Sequence, residues 1–454
     1  MNINDEIVFT IEKLTPTGDA LARFGEDKLV VFVKGALPKE DVKVKIISKN
    51  KHFLKGEIVE IINASPNRIK PFCSIYNACG SCNFQICSYD YQTEQKDKIL
   101  KEIFKDILDE KLIKPFIKSP SDKCYRHKIQ FPAKRTKNSK RMLLGYFKQN
   151  SHELTNIKFC PVQPEIINDI AQFIRDNFIL SCFDEKTKKG LLKNVVIRIN
   201  SSENAILLTF VLNIKNNDFS MVKDDILDFS EKLLDVFCEI KGVFANFNPN
   251  HDNKILGDET VKILGDDFID ETLGDKTYKI GATSFFQVNP KSATHLFNVV
   301  KENISPDSSV LDAYGGVGAI GIYVSSKAKK ITLVEENENA IICAKENFKL
   351  NNIKDYEILS GDAKKHFVDF KNENRHFDCV ILDPPRSGCD IVNGGLDIIS
   401  NLTDKIIYVS CNPMTLKRDA IYLKSIGFKV KSLTGVDMFP HTFHIEAVMV
   451  FERG

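Results

Sequence analysis

Ser309 to Glu336 reads SVLDAYGGVGAIGIYVSSKAKKITLVEE, and this stretch decides the fold. Ser309 to Ala313 suits a buried strand. Tyr314-Gly315-Gly316-Val317-Gly318-Ala319-Ile320-Gly321 then opens a helix, and Lys330 to Val334 is a second strand ending in Glu335-Glu336. The rhythm continues downstream with a helix over Ala340 to Leu350, strands over Tyr356 to Leu359 and His376 to Leu382, and a further strand over Ile406 to Val409. Strands alternating with helices predict a doubly wound sheet, with ligands bound at the carboxyl ends of its strands.

Gly316 to Gly321 literally fits G-x-G-x-x-G, with Glu335 about where a dinucleotide ribose would want an acid, which by itself reads as a nicotinamide dinucleotide site. Two neighbours point elsewhere. Asp312 stands at the strand end just before the loop, where its charge would repel a pyrophosphate but attract the cationic methionine end of S-adenosylmethionine. Leu382-Asp383-Pro384-Pro385-Arg386 puts a second acid on a rigid turn beside the same place. Methyl transfer is therefore expected ahead of hydride transfer.

Ile406 to Val409 runs into Ser410-Cys411-Asn412-Pro413, and Met414 to Lys424 reads as a helix. Pro413 suits a first helical position. Cys411 then lies at a strand end beside the positive pole of a helix, a setting expected to favour the nucleophilic thiolate. A lone cysteine is more often structural, so the weight rests on the surrounding motifs.

Upstream, residues 4 to 62 alternate with period two: Ile7, Phe9 and Ile11, then Leu29 to Val33, then Val42, Val44 and Ile46, then Ile58 to Ile62, with turn signals at Pro16-Thr17-Gly18 and Gly25-Glu26-Asp27. Such short strands suit a small OB-like barrel that binds RNA. Lys43, Lys45, Lys49, Lys51 and Lys55 could contact phosphates or merely solubilise a strand edge. Cys73, Cys79 and Cys82 form C-x5-C-x2-C around Gly80, a metal-binding pattern. Cys87, Cys124 and Cys160 are candidates for the fourth ligand, and spacing does not choose between zinc and an iron–sulfur cluster. Tyr91 to Leu112 reads as an amphipathic helix. The middle mixes strands (Ile129 to Ala133, Leu143 to Phe147, Val195 to Ile199, Ile206 to Leu212) with helices (Ile166 to Phe178, Phe219 to Phe237), and Lys134, Arg135, Lys137, Lys140 and Arg141 crowd one loop.

The 454 residues suggest two to four domains, and 63 basic against 61 acidic residues leave a net charge of only +2. Polyanion binding must then come from local patches. Twelve cysteines suit a reducing, cytoplasmic location, and neither a membrane span nor a signal peptide is legible.

The chain resembles the iron–sulfur RNA uracil-C5 methyltransferases. The motifs that carry the likeness are Phe285-Phe286-Gln287-Val288-Asn289, Asp383-Pro384-Pro385-Arg386, Ser410-Cys411-Asn412-Pro413 and Asp437-Met438-Phe439-Pro440-His441-Thr442. The resemblance implies a multidomain α/β protein in three parts. These are a TRAM barrel of the OB type (1–62), a central α+β domain with the iron–sulfur segment (63–275), and a Rossmann-like S-adenosylmethionine-dependent methyltransferase domain (276–454). It also implies that the helix over about 90–112 packs on the methyltransferase domain. By the same resemblance Cys73, Cys79, Cys82 and Cys160 would hold a [4Fe–4S] cluster. Gln287, Tyr314, Glu335, Asp362 and Asp383 would line the donor and base site, and Glu446 would be the catalytic base. Many relatives have cysteine at the position of Gly315 and Asn or Thr at that of Ala319, so one polar contact to the donor is missing here.

Carbon 5 of uracil is a poor nucleophile until a thiolate adds to carbon 6, and that is the role expected of Cys411. Asp383 would steady charge at the O4 edge, and Glu446 would remove the C5 proton so that Cys411 can leave. The base must leave its stack, with Phe285 as a platform and Arg126 as an RNA contact. The implied substrate is 23S ribosomal RNA, acted on by a monomer, with transfer RNA as the alternative. Exocyclic-amine methylation, a non-catalytic RNA-binding role and a NAD-linked oxidoreductase are the rival readings. Amine methyltransferases carry an aromatic where Arg386 stands and need no Cys411.

Overall fold

The computed structural model describes all residues except Met1, Asp27, 137–140, Asn150 and 393–394. Asp27 of the second turn signal and Lys137 and Lys140 of the basic loop therefore lie outside the described residues. The C-terminal sheet has seven strands: β1 (Ser308–Asp312), β2 (Ala328–Glu335), β3 (Tyr356–Ser360), β4 (Cys379–Leu382), β5 (Lys405–Ser410), β6 (Phe428–Val436) and β7 (Glu446–Arg453). Their spatial order is β3-β2-β1-β4-β5-β7-β6. The first five are parallel, and β7 inserts antiparallel between β5 and β6. Val310, Leu311, Leu333, Val334, Val380, Ile381, Ile406 and Ile407 are buried, as continuous apolar runs covered on both faces require. The fourth strand begins at Cys379 rather than His376, because Phe377 makes only an isolated bridge to Thr403.

The glycine loop leads into a short helix, α1 (Ala319–Val324), whose first turn is set by Gly316 and Gly318 at φ 55° and 82°. A Cβ on Gly321 would lie 3.0 Å from an Asp312 carboxylate oxygen, so the third glycine permits close packing of helix on strand.

The N-terminal sheet has six strands, with Val31, Val33, Val42, Val44, Ile46 and Leu54 inside. Its Gly18 has φ 86°, and a Cβ there would lie 2.0 Å from the ring of Phe443, a residue far downstream in the C-terminal unit. The central sheet also has seven strands. Ile167, Ile170 and Ile174 of the helix Glu165–Asn177, with Ile226, Phe229 and Leu233 of the helix Lys223–Val236, share one core with Ile129, Val195, Ile197, Leu208 and Phe210. The region expected as a single helix from Phe219 divides: Asn216–Met221 is a 3-10 turn, and the α-helix starts at Lys223. A hairpin of Phe268–Leu273 and Lys276–Gly281 runs across residues 275 and 276.

The segment expected as one helix over Tyr91–Leu112 is also divided. An α-helix covers Tyr89–Phe104, the chain turns back as Leu108 N–H reaches Phe104 O, and Asp109 caps a 3-10 turn over Glu110–Leu112. The α-helix lies on the C-terminal unit, where Lys96 Nζ is 2.8 Å from Asp437 Oδ1 with both side chains fully buried. The chain then runs along β6, Lys114 and Ile117 donating to Leu433 O and Gly435 O at 2.8 Å each.

Candidate active site

A cavity of about 310 Å³ opens at the carboxyl ends of β1, β2 and β4. Gln287, Tyr314, Glu335 and Asp383 line it, together with Asp312, Phe285, Phe297 and Asn337. Asp362, the fifth residue expected there, caps the helix Ala363–Asn372 by accepting from Lys364 N–H at 2.7 Å and is not part of the wall. Gln287 reaches the cavity because its neighbours anchor the segment. Phe286 is buried in the core, His127 N–H donates to Val288 O at 2.7 Å, and Asn289 caps the helix Pro290–Glu302. Phe285 is 66% exposed, an open aromatic face at the cavity rim.

The cavity is acidic. Glu335 accepts from Gly316 N–H at 2.9 Å and Asn337 N–H at 2.8 Å, which fixes both its oxygens. Asp312 accepts from Gly321 N–H at 2.9 Å through Oδ2, while its Oδ1 is buried with no partner. Burial, reinforced by Glu335, pushes the Asp312 carboxyl up to about 7. Burial, reinforced by Asp312, pushes Asp383 up to about 7 as well. An orphaned carboxylate oxygen in a cluster of acids, with no cation among the described residues of the cavity wall, is the donor set for a cationic ligand. A sulfonium with a bound adenosine fits it, whereas a pyrophosphate does not.

Cys411 lies between β5 and the helix Pro413–Ser425, with Asn412 as the cap and Pro413 in the first turn. The Asn412 side chain also donates to Arg386 O at 3.2 Å, joining this turn to Asp383–Arg386. Beneath them Asp419 accepts from Tyr408 Oη at 2.6 Å and from Cys389 N–H at 3.0 Å, a buried network that locks the two turns together. The antiparallel strand β7 begins at Glu446. Ser410 pairs with Ala447, so the next positions in register are Cys411 and Glu446. A parallel strand would have sent its first residue to the opposite edge of the sheet.

The expected resting thiolate is not what this environment favours. Burial, then Glu446 and Asp383, push the Cys411 thiol up to about 11, with Arg386 opposing them. Burial first, and two nearby carboxyls after it, outweigh the half charge of one helix end. Burial, with Asp383, likewise pushes Glu446 up to about 8, again opposed by Arg386. The resting site holds a thiol beside carboxyl groups that readily keep protons.

Cys73, Cys79, Cys82 and Cys160 gather at the edge of the central sheet. Gly80 N–H donates to Phe147 O at 3.1 Å, an approach a side chain would block, since a Cβ there would lie 2.7 Å from that oxygen. Burial raises the thiols of Cys82 and Cys160 to about 12 and about 11. Cys82 feels Cys160, Cys79 and Cys73, and Cys160 feels Cys73 and Cys79. Cys87 sits instead with Arg68 and Glu40, and Cys124 is exposed near Glu203 and Glu165. Among the described residues, no group of three or more His, Cys, Asp or Glu side chains is arranged to hold a metal ion. Arg126 stands over the Tyr146 ring at 5.8 Å, within the field of Cys160 and Cys82, and its Nε is buried without a partner. A guanidinium with an unsatisfied donor beside the thiols of Cys160 and Cys82 suits a net-negative thiolate-bound centre. Arg126 also borders the open cavity that Gln130, Lys134 and Lys193 line.

In the basic loop, Arg135 turns inward and donates to Phe178 O and Leu180 O at 2.6 and 3.2 Å. Lys134 instead lines a cavity of about 630 Å³ with Lys186, Lys188, Lys193 and Lys254. In the barrel, Lys43 pairs with Glu6 at 2.8 Å and Lys55 stands over Phe53. Sequence reasoning missed the burial of Lys96 and the part played by Arg386 as the cation that offsets the site's acids. No local spacing announces either, since Lys96 meets its partner 341 positions away.

Residues 250–454 match the tRNA (Uracil-5-)-methyltransferase family and residues 4–59 the TRAM domain. An uncharacterized RNA methyltransferase of Oceanobacillus iheyensis is 34% identical, with 99% of this chain and 96% of that protein covered. One from Halalkalibacterium halodurans is 33% identical, with 100% and 98% covered. The fold is that of the Pyrococcus abyssi tRNA (uracil-54, C5)-methyltransferase solved with S-adenosyl-L-homocysteine, at a TM-score of 0.75 and 24% identity over 98% of this chain and 100% of that one. No helix among the described residues is long and apolar enough to cross a membrane. With identity above 30% running the length of its relatives, and with an acidic donor cavity beside a cysteine, this chain belongs to the TRAM-containing RNA (uracil-5-)methyltransferases.

Proposed function

We propose that this enzyme methylates carbon 5 of a uridine in 23S ribosomal RNA through a transient Cys411–C6 bond. The observation that carries the reading is the register that sets Cys411 against Glu446, both within the field of Asp383 of the acidic cavity. S-adenosylmethionine, when bound, supplies an electrophilic methyl group; Asp312, Glu335, Gln287 and Tyr314 would hold it. Cys411 adds its sulfur to C6 as its proton passes to a neighbouring carboxylate, and the electron pair moves toward C5 and O4. Asp383, which keeps a proton up to about pH 7, is suited to donate a hydrogen bond to O4 as charge gathers there. Glu446, once ionised, takes the C5 proton, the C–S bond breaks, and the C5=C6 double bond returns. Exposed Phe285 offers a face on which the extruded base can stack. A monomer acting in the cytoplasm is consistent with this scheme.

The ribosomal substrate is proposed because the TRAM domain and the four-cysteine segment occur together. Transfer RNA is the second reading, supported by the names of the matched family and of the solved structure. Mapping 5-methyluridine in both RNAs from cells lacking the protein decides between them. Loss from one 23S position with transfer RNA unchanged is the expected result, and loss from transfer RNA alone reverses the assignment.

Cys73, Cys79, Cys82 and Cys160 are proposed as the holders of a [4Fe–4S] cluster, with Arg126 balancing its charge. Iron measured on anaerobically purified protein should drop to background in Cys160→Ser and persist in Cys87→Ser and Cys124→Ser. Retention of iron in Cys160→Ser would remove Cys160 from the set.

The donor site carries its own pH signature. Asp312 is pushed up to about 7 and one of its oxygens has no partner, so a bound sulfonium must draw the proton off it. S-adenosylmethionine affinity should therefore rise between pH 6 and 8 relative to that of S-adenosylhomocysteine, which lacks the charge. The expected gain in the ratio is roughly tenfold for each proton released per pH unit. A ratio independent of pH, measured by calorimetry, would show that Asp312 does not meet the sulfonium.

A further inference from the structure

We propose that Lys96 and Gln92, on the helix Tyr89–Phe104, are positioning residues for Glu446, and that they govern the second half of the reaction rather than the first. This rests on the reading of Cys411 and Glu446 given above. Glu446 pairs across the strands with Val436, and the nine residues between them, 437 to 445, form the turn that aims it. That turn is fastened from outside by the first third of the chain. Lys96 Nζ donates to Asp437 Oδ1 at 2.8 Å and to Phe439 O at 3.1 Å. Gln92 makes two contacts with His441: it accepts from the His441 backbone N–H at 3.0 Å, and its Nε2 lies 3.1 Å from His441 Nδ1. Asn83 and Phe84 N–H groups both donate to His441 O at 3.0 Å. The rings of Phe84 and Phe443 stack at 4.1 Å.

His441 is held at φ 65°, a left-handed conformation that a non-glycine residue keeps only where its surroundings over-determine it. The ion pair is fully buried, and Asp437 Oδ2 has no partner, so Lys96 is the cation that answers that carboxylate. An apolar pair could fill the same space. What a directional buried pair adds is a single register for the turn. Cys411 is held by hydrogen bonds through Asn412, Arg386, Tyr408 and Asp419, none of which is made by the helix Tyr89–Phe104, although that helix also packs on the helix Pro413–Ser425. Loosening the fastening should leave sulfur addition and methyl transfer in place while displacing the group that removes the C5 proton.

The test is single turnover with uridine-containing substrate RNA and S-adenosylmethionine. Gln92→Ala, Lys96→Met and the charge-free pair Lys96→Met/Asp437→Leu are compared with wild type and with Glu446→Gln. Denaturant-stable protein–RNA adduct and released 5-methyluridine are quantified separately. The expected result is an adduct-to-product ratio raised at least tenfold in the variants, with adduct formation within threefold of wild type and S-adenosylhomocysteine affinity unchanged. Adduct and product falling together, or an unchanged ratio, would overturn the proposal. Gln92→Ala, which strands no charge, decides the matter if Lys96→Met does not fold. A Cys411→Ala protein that still turns over would instead defeat the underlying mechanism, whatever the ratio.

Discussion

Cys411→Ala should lower methylation by about 10⁴-fold or more while leaving S-adenosylhomocysteine affinity within twofold of wild type. The thiol is half-buried at the end of β5 and belongs to neither wall nor floor of the donor cavity, so the cavity survives its loss. Its replacement leaves the fold almost untouched, because the turn is held by Asn412 and by the Tyr408–Asp419 network rather than by sulfur. What disappears, in the proposed mechanism, is the sulfur addition that makes carbon 5 nucleophilic. RNA carrying 5-fluorouridine supplies the positive counterpart: wild type should become covalently joined to it through Cys411, and the variant should not. Turnover persisting in Cys411→Ala would point to an exocyclic amine as the methyl acceptor, since that chemistry needs no thiol.

Glu446→Gln should reduce product release by about 10³-fold and accumulate a methylated adduct, since the variant can add and accept but cannot eliminate. The same change should stabilise the free protein at high pH, and the sign follows from linkage. Glu446 is held up to about 8, above its ordinary value, so the native state prefers its protonated form. Its contribution to stability is fully present below the ordinary carboxylate range and is lost as pH rises through about 8. At pH 9 the wild type then carries a buried charge that the glutamine variant lacks, worth on the order of 2–4 kcal/mol. Urea unfolding at pH 6 and pH 9 checks this: the variant should gain stability over wild type at pH 9 and little at pH 6. Equal gains at both would assign the effect to packing instead. The rate of the elimination step should rise with pH through the same interval, because only the ionised carboxylate can take the C5 proton.

Much of the chemistry was legible in the linear chain because its residues sit next to the backbone features that aim them. Strand periodicity placed Asp312 and Asp383 at strand ends. Pro413 marked the start of the helix beyond Cys411, and the C-x5-C-x2-C spacing marked three of the four gathered cysteines. These signals are local, and local sterics and hydrogen bonding enforce them wherever the segment lies. Tertiary structure alone decided three other things. The insertion of β7 antiparallel beside β5 brought Glu446 to Cys411, since an antiparallel strand begins where its parallel neighbour ends. Burial among carboxyls, which depends on what packs from every side, raised the thiol that the helix end was expected to ionise. Contact across 341 positions joined Lys96 to Asp437, and such a pair leaves no periodicity because only the folded path sets the distance between them.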